Sequence, residues 1–269
     1  MNETKSPNVV VFFRDLLEFE QEMLAASKYF NVVSNRTLVK NNDLVIGRYS
    51  VLPFYKETEK DIQILGGTLI NSYQQHKFIA DFEYYELLKE FTPETWTDED
   101  FYRCEYQGPF VVKGKTNSRK HEWNGKMFVE NKREASLLAG ELAKDSLIGP
   151  QGILYRKYVP LKTYDVGING IRFTNEWRFF FLGNHLLDFG YYWSSYKNIS
   201  KTECPETVFS KAMEVAKIVK EWVNFFVIDV AETEDGKAIM IEMNDGQMSG
   251  LSEIEPENFY RNLKSQTKD

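Results

Sequence analysis

Toward the C-terminal end of the chain a carboxylate interrupts an apolar run, Val227-Ile228-Asp229-Val230. A second, Glu242, follows thirteen positions later in Ile239-Met240-Ile241-Glu242-Met243-Asn244-Asp245-Gly246. Glu242 and Asn244 are two residues apart, so on a strand their side chains leave the same face. The polar turn between the two runs, with Asp235-Gly236 near its tip, predicts a hairpin that brings Asp229 alongside them. Three hard oxygen donors beside an apolar sheet suit Mg²⁺, which keeps several waters and takes its other ligands from phosphate oxygens. The competing reading is a strand pair with polar residues at its edge. It ranks second, because carboxylates buried in runs this apolar cost several kcal/mol each without a compensating cation or partner.

Two further segments carry candidate chemistry. Pro109-Phe110-Val111-Val112-Lys113-Gly114-Lys115 reads as a strand that delivers Lys113 beside a flexible loop, Gly114 to Gly125. That loop carries Lys115, Thr116, Ser118, Arg119 and Lys120, and its glycines let backbone N–H groups approach anionic oxygens. A lysine at a strand end is a point charge for an α- or β-phosphate; taken alone, a basic surface loop is the commoner explanation of such a run. In Glu176-Trp177-Arg178, Glu176 and Arg178 share one strand face. Arg178 has the planar fork to hold a phosphate or a carboxylate, and a structural ion pair is the alternative.

The elements that position these residues are predicted as follows. Asn8–Phe13 is a short apolar, β-branched run that reads as a buried parallel strand, with a helix starting at Asp15 and carrying Leu16, Leu17, Phe19, Met23 and Leu24. Leu44–Gly47 and Gly67–Asn71 are further strands, the second leading into a helix around Tyr73 to Leu88. Phe91-Thr92-Pro93-Glu94-Thr95 breaks that alternation. Beyond it, Gly152–Val159 is a strand and Arg133–Lys144 a helix with Ala135, Leu138, Ala139 and Leu142 on one face. Trp177–Phe181 and His185–Phe189 form a hairpin through Leu182-Gly183-Asn184. Pro205 opens a long helix with a buried stripe of Val208, Ala212, Val215, Val219 and Trp222. Phe225–Ala231 and Ala238–Met243 are the last strands, and the tail from Lys264 to Asp269 is expected to be mobile.

Composition narrows the class. The 269 residues, 42% hydrophobic and 15% aromatic, are enough for real cores, and a formal charge of −7 argues against a general nucleic-acid binder. Cys104 and Cys204 form no CxxC pair, which fits thiols in a reducing cytoplasm. His76, His121 and His185 have no metal-ligand spacing. The polar start MNETKSPN reads as no signal peptide, and no run of apolar residues is long enough for a membrane span. No glycine fingerprint follows the first strand, which argues against a dinucleotide site there. The aromatic run Tyr191-Tyr192-Trp193, with Tyr196, has the chemistry to stack a base, though sheet packing is the stronger reading.

In this order the segments resemble the ATP-grasp superfamily, in particular its R-two-K clade, from about residue 71 to 251. The most specific part is Asp229 with the run Glu242 to Leu251. The resemblance implies an α/β (α+β) ATP-grasp fold: a small open pre-ATP-grasp unit over 1–75, then an ATP-grasp domain over 76–269. Within that domain it implies a lid near 100–160 and a metal-binding part near 161–263. It implies that Asp229, Glu242 and Asn244 hold two magnesium ions, for which Mn²⁺ can substitute, against the phosphates of ATP. Lys113 falls on the family's strand lysine, with Lys115 beside it, and Arg156-Lys157-Tyr158-Val159 on the hinge whose backbone recognises adenine. Arg178, with Glu176 on the same face, falls on the arginine that meets the phosphates and the acyl intermediate. Two departures stand out. Only Lys77 lies near the additional early lysine of many members, and the ribose acid is missing from the hinge, leaving Asp165 as the nearest carboxylate. The implied reaction is carboxylate–amine or carboxylate–thiol ligation through an acylphosphate, on small molecules, amino acids or peptides, releasing ADP and phosphate. The alternatives are a kinase acting on a hydroxyl, a nucleotide-binding regulator without turnover, and, more remotely, a ligase with a nucleic-acid acceptor.

Overall fold

A computed structural model describes residues 7–14, 19–193 and 203–267. The expected helix start at Asp15 with Leu16 and Leu17, the aromatic Tyr196, and the last two residues of the tail lie outside the described residues.

The chain opens with β1 (Asn8–Phe13), α1 (Glu20–Ser27), β2 (Asn31–Val33), β3 (Asp43–Arg48), α2 (Tyr55–Ile64) and β4 (Thr68–Leu69). Their strands form an all-parallel sheet in the order β2-β1-β3-β4. A parallel sheet must be covered on both faces, which is why β1 reads as a continuous apolar run. α3 (Tyr73–Ala80) and α4 (Tyr85–Leu88) lead to a second unit, an antiparallel sheet of β5 (Thr95–Thr97), β6 (Phe110–Gly114), β7 (Phe128–Val129) and β8 (Ile153–Lys157) in the order β5-β8-β6-β7. The short turn α5 (Trp123–Lys126) and the helix α6 (Lys132–Leu142) belong to this unit, and α6 buries Ala135, Leu138, Ala139 and Leu142 against it. β9 (Thr163–Val166) and β10 (Arg172–Thr174) pair as a small hairpin.

The last sheet positions the site. β11 (Glu176–Leu182), β12 (His185–Tyr191), β13 (Phe225–Glu232) and β14 (Ala238–Asp245) pair antiparallel in the order β12-β11-β13-β14, with α7 (Glu206–Val219) and α8 (Pro256–Gln266) packed around them. Side chains alternate between its faces. Phe179, Phe181, Phe226, Ile228 and Val230 go to one face, under Val208, Ala212, Val215 and Val219 of α7 and Phe78 and Ile79 of α3. Phe180, Phe225 and Val227 go to the other, against Val9, Val11 and Ile46 of the parallel sheet and Phe259 and Leu263 of α8. Each fully buried phenylalanine contributes about 1.5–3 kcal/mol, so both faces clamp the sheet rigidly.

Four expectations are corrected. The helix over Tyr73–Leu88 is two pieces, because Phe82 between them adopts φ 68°, a conformation held by burying its ring against Tyr84 and Tyr85. Trp222 lies beyond the end of α7 and is 50% exposed, stacked on Phe78 at 5.1 Å instead of joining the buried stripe. Lys264 to Gln266 of the expected mobile tail continue α8, which Phe259, Tyr260 and Leu263 anchor in the core. The short strands β2, β5, β7, β9 and β10 add to the expected set, and β5 begins at Thr95, the last residue of the stretch read as a breaker.

Candidate active site

On the face of the last sheet that carries Phe180 and Val227, one end turns from apolar to charged within two residues. Register sets Arg178 opposite Asp229 on β11 and β13, and Asp229 opposite Glu242 on β14. Asn244 sits opposite Val227, on the same face, and its Nδ2 donates to Glu242 Oε1 at 3.2 Å. Thus the hairpin does bring Asp229, Glu242 and Asn244 together. The next residue, Asp245, turns to the other face, where it accepts from Tyr55 Oη at 3.1 Å and Asn71 Nδ2 at 2.9 Å and lies 3.1 Å from His76 Nδ1.

Each carboxylate already has a protein cation. Arg178 holds Asp229 with both arms of its fork, Nε to Oδ1 at 2.8 Å and Nη2 to Oδ2 at 2.8 Å, and donates through Nη1 to the carbonyl of Gly250 at 2.9 Å. Lys113, at the end of β6 and buried, crosses from the second unit to donate to Glu242 Oε2. Burial pushes the Glu242 carboxyl up, but Lys113, together with Arg178 and Lys120, outweighs it and holds the group down at about 2. Among the described residues Glu176 has no such partner: burial, and then the nearby charge of Asp229, raise it to about 8, and it accepts a hydrogen bond from Thr174 Oγ1 at 3.2 Å.

Of these groups Lys113, Glu176 and Glu242 line a cleft between the second unit and the last sheet, and Arg178, Asp229 and Asn244 are not among its lining residues. Its apolar end is built by Val111, Met127, Tyr158, Leu161, Ile171 and Ile241. At its polar end stand Lys113, Lys120, Glu176, Tyr192 and Glu242. Asp229, fully buried, lies beneath the Arg178 fork. Of the hinge residues, Lys157, Tyr158 and Val159 line the cleft, and Tyr158 N–H donates to the carbonyl of Pro109 at 2.9 Å. Arg156 lines it as well, but its guanidinium is turned inward onto the Thr92 and Thr95 hydroxyls and the Ile241 carbonyl. Lys115 lies against Gly152 and is not among the lining residues. Asp165 is exposed on β9, where it accepts from Val166 N–H, and Lys77 is half-buried on α3 with its ammonium 3.1 Å from Asp81; neither lines the cleft.

Two residues of the cleft are not singled out by the sequence. Lys120 is one basic residue among several in its loop, and nothing in its spacing sets it apart. Tyr192 reads only as a stacking aromatic, yet Arg178 lies 4.8 Å from its ring centroid and Lys120 4.4 Å. The available signal is register: β12 pairs Gly190 with Arg178, so Tyr192, two residues on, falls on the same face beside Glu176.

The donor set fits a hard divalent cation in its chemistry. Two carboxylates and an amide oxygen share one face, and a carboxylate oxygen that accepts one hydrogen bond keeps a second lone pair. Among the described residues no group of three or more His, Cys, Asp or Glu side chains is gathered for a metal.

Residues 100–263 match the model of a family described as the ATP-grasp domain, R-two-K clade, family 3. A search of curated proteins returned no match. Among solved structures, the fold is similar to the D-cycloserine synthetase DcsG, at TM-score 0.59 and 12% identity over 97% of this chain and 100% of that one. It is similar to the ATP-grasp ligase PsnB in complex with precursor peptide PsnA2 and AMPPNP, at TM-score 0.61 and 12% identity over 98% of each chain. It is also similar to D-alanine–D-alanine ligase from Bacillus anthracis in complex with ATP, at TM-score 0.57 and 13% identity over 98% of this chain and 97% of that one.

Proposed function

Because the chain belongs to the ATP-grasp domains of the R-two-K clade, family 3, we propose that it is an ATP-dependent ligase that joins a carboxylate to an amine through an acylphosphate, releasing ADP and phosphate. The observation that carries this reading is that the Arg178–Asp229 pair lies beside the Lys113–Glu242 pair, which lines a cleft with largely apolar walls. An apolar slot between two sheets suits a purine, and the polar end suits a triphosphate. Adenine would lie among Val111, Met127 and Ile241, facing the backbone of the segment Arg156 to Val159. Lys113 is held in ion-pair reach of Glu242, so its charge is available to a phosphate oxygen at little rearrangement. Magnesium held by Glu242, Asn244 and Asp229 would clamp the phosphate oxygens and offset charge that develops on them.

The substrate carboxylate attacks the γ-phosphorus; the bond to the β,γ-bridging oxygen breaks and ADP leaves. Arg178 orients the anionic acylphosphate through its planar fork. The amine then attacks the acyl carbon and phosphate departs. Closure of the second unit over the cleft excludes the water that would hydrolyse the mixed anhydride. The solved structures of similar fold are named for cycloserine synthesis, dipeptide ligation and a peptide precursor; by analogy the carboxylate here belongs to an amino acid or peptide. Both cysteines are free, in keeping with work in a reducing cytoplasm, and no described helix is long and apolar enough to cross a membrane.

Hydroxylamine trapping tests the reaction. With ATP, Mg²⁺ and a pool of amino acids and small carboxylic acids, an acylphosphate yields a hydroxamate, and Arg178→Lys lowers trapping more than it lowers ATP binding. A substrate whose turnover released ADP, left a phosphorylated hydroxyl and gave no hydroxamate would establish a kinase in place of the ligase.

A further inference from the structure

We propose that Lys120 is the lid cation that engages the phosphoryl group transferred from ATP, and that the rings of Tyr192 and Trp193 hold its ammonium in waiting until that anion arrives. The proposal rests on the ATP-grasp reading of the site and adds a residue to it.

The basic residues of the segment from 113 to 120 have separate fates. Lys113 is bound to Glu242, Arg119 to Asp145 within its own unit, and Lys115 lies against Gly152. Lys120 instead crosses the cleft. Its Nζ donates to Tyr192 Oη and lies 4.4 Å from the centroid of the Tyr192 ring and 5.1 Å from that of Trp193. Those aromatics follow β12, on the opposite wall from the loop that carries Lys120. Among the described residues Lys120 forms no salt bridge, yet its charge is felt by Glu176, Asp229 and Glu242, whose carboxyls it pulls down. It therefore stands beside the carboxylate cluster without belonging to any pair in it.

The chemistry of that arrangement favours exchange. Burial and the surrounding carboxylates keep the Tyr192 phenol protonated, so Lys120 is bound to a neutral acceptor and to ring faces. A cation–π contact is a modest attraction, whereas a hydrogen bond from an ammonium to a phosphate oxygen joins two full charges and is stronger. Arg178 is 4.8 Å from the same Tyr192 ring. Two cations thus lie against one aromatic ring, and an anion within reach of both would gain from each. A γ-phosphoryl group presents three anionic oxygens, and Asp229 and Glu242 mark the metal side of the same cleft. Lys120, arriving from the lid, would meet the side that the metals leave uncovered. The loop docks on the opposite wall at a second point, where Asn124 lies against Gly170, so delivery of Lys120 is tied to closure.

Calorimetric titration of the intact protein with ADP, AMP-PNP and ADP plus beryllium fluoride, all with Mg²⁺, tests this. Lys120→Met should bind ADP within about twofold of wild type while losing roughly tenfold or more in affinity for AMP-PNP and for the beryllium fluoride complex. Lys120→Arg, which keeps the charge, should recover most of that loss. Wild-type affinities for all three ligands in Lys120→Met would overturn the proposal and leave the ATP site standing. Equal losses for ADP and AMP-PNP would overturn it too, because Lys120 would then act on the shared part of the nucleotide or on lid folding. A wild-type protein that binds no nucleotide would remove both the proposal and the reading beneath it.

Discussion

Arg48 and Arg178 grip the same short loop from two sides and do different work. Arg48 leaves β3 and donates to the carbonyls of Gly246 and Ser249; Arg178 donates to that of Gly250. Both also hold a carboxylate, Arg48 through Nε to Glu22 Oε1 at 2.7 Å and Arg178 through its fork to Asp229. The difference lies in what surrounds each pair. Around Arg48 the set is closed: Glu22 also accepts from the Tyr49 and Tyr260 hydroxyls, Phe180 and Phe259 cover the guanidinium, and it is 0% exposed. Around Arg178, at 9% exposure, the set is open and overfull, with Glu242 and Glu176 adding carboxylates and Lys113 and Lys120 adding cations along a cleft. A balanced, sealed ion pair specifies a fold. A crowded one with an open side is arranged for charges that come and go.

The largest expected effect breaks the closed set. Arg48→Met strands the Glu22 carboxylate and should cost about 3–5 kcal/mol in urea unfolding, unrelieved by Mg²⁺. Adding Glu22→Gln should restore much of that loss. Arg178→Met should cost less, and Mg²⁺ should recover part of the loss, because Asp229 lies in a donor set that accepts a cation. If both variants lost the same stability and neither responded to Mg²⁺, the contrast between the two sites would be wrong.

An intermediate effect concerns pH. The Glu176 carboxyl is raised in the folded protein from the ordinary 4.5 to about 8. Folding therefore favours its protonated form. No cost is present below the unfolded value, and stability declines as pH rises from near 4.5 through about 8, at up to about 1.4 kcal/mol per pH unit. Urea midpoints measured at pH 5, 6.5 and 8 should fall more steeply in wild type than in Glu176→Gln, whose amide does not titrate. Parallel profiles would show that Glu176 is ionised throughout.

The smallest effect is a control. Lys28 and Glu257 form a 2.6 Å pair in which both side chains are about half exposed. Water and side-chain freedom cancel most of such a contact. Lys28→Ala should leave the urea midpoint unchanged within error, and a clear loss there would mean that ion-pair burial is not what separates these sites.

The open set is largely legible in the residues, and the closed one is not. Asp229, Glu242 and Asn244 announce themselves as polar residues in apolar strands, and strand periodicity with one turn places them on a common face. The last sheet and α7 are legible for the same reason, since periodicity is local. Arg48 on β3 and Glu22 on α1 meet because α1 packs on the parallel sheet, a tertiary event that no local pattern records. Tyr73–Leu88 reads as one helix because nothing local forces Phe82 to positive φ; burial of its ring does. Arg156 reads as a cleft cation, and its inward turn depends on Thr92, sixty-four residues away in the chain. β2, β5, β7, β9 and β10 are too short for a period to show.

The central claim is that the open set receives a nucleotide together with its metal. The most direct measurement is the melting temperature of wild type and Glu242→Gln with ATP plus Mg²⁺ and with ATP plus chelator. A ligand at about a hundred times its Kd adds roughly 2.7 kcal/mol to stability, well within the resolution of a thermal scan. Wild type should show a clear rise with ATP and Mg²⁺ and little with chelator, and Glu242→Gln should stay folded but lose the Mg²⁺-dependent part. Equal shifts with and without Mg²⁺ in wild type, or a full Mg²⁺-dependent shift in Glu242→Gln, would contradict the assignment of Asp229, Glu242 and Asn244 as the metal face of an ATP site.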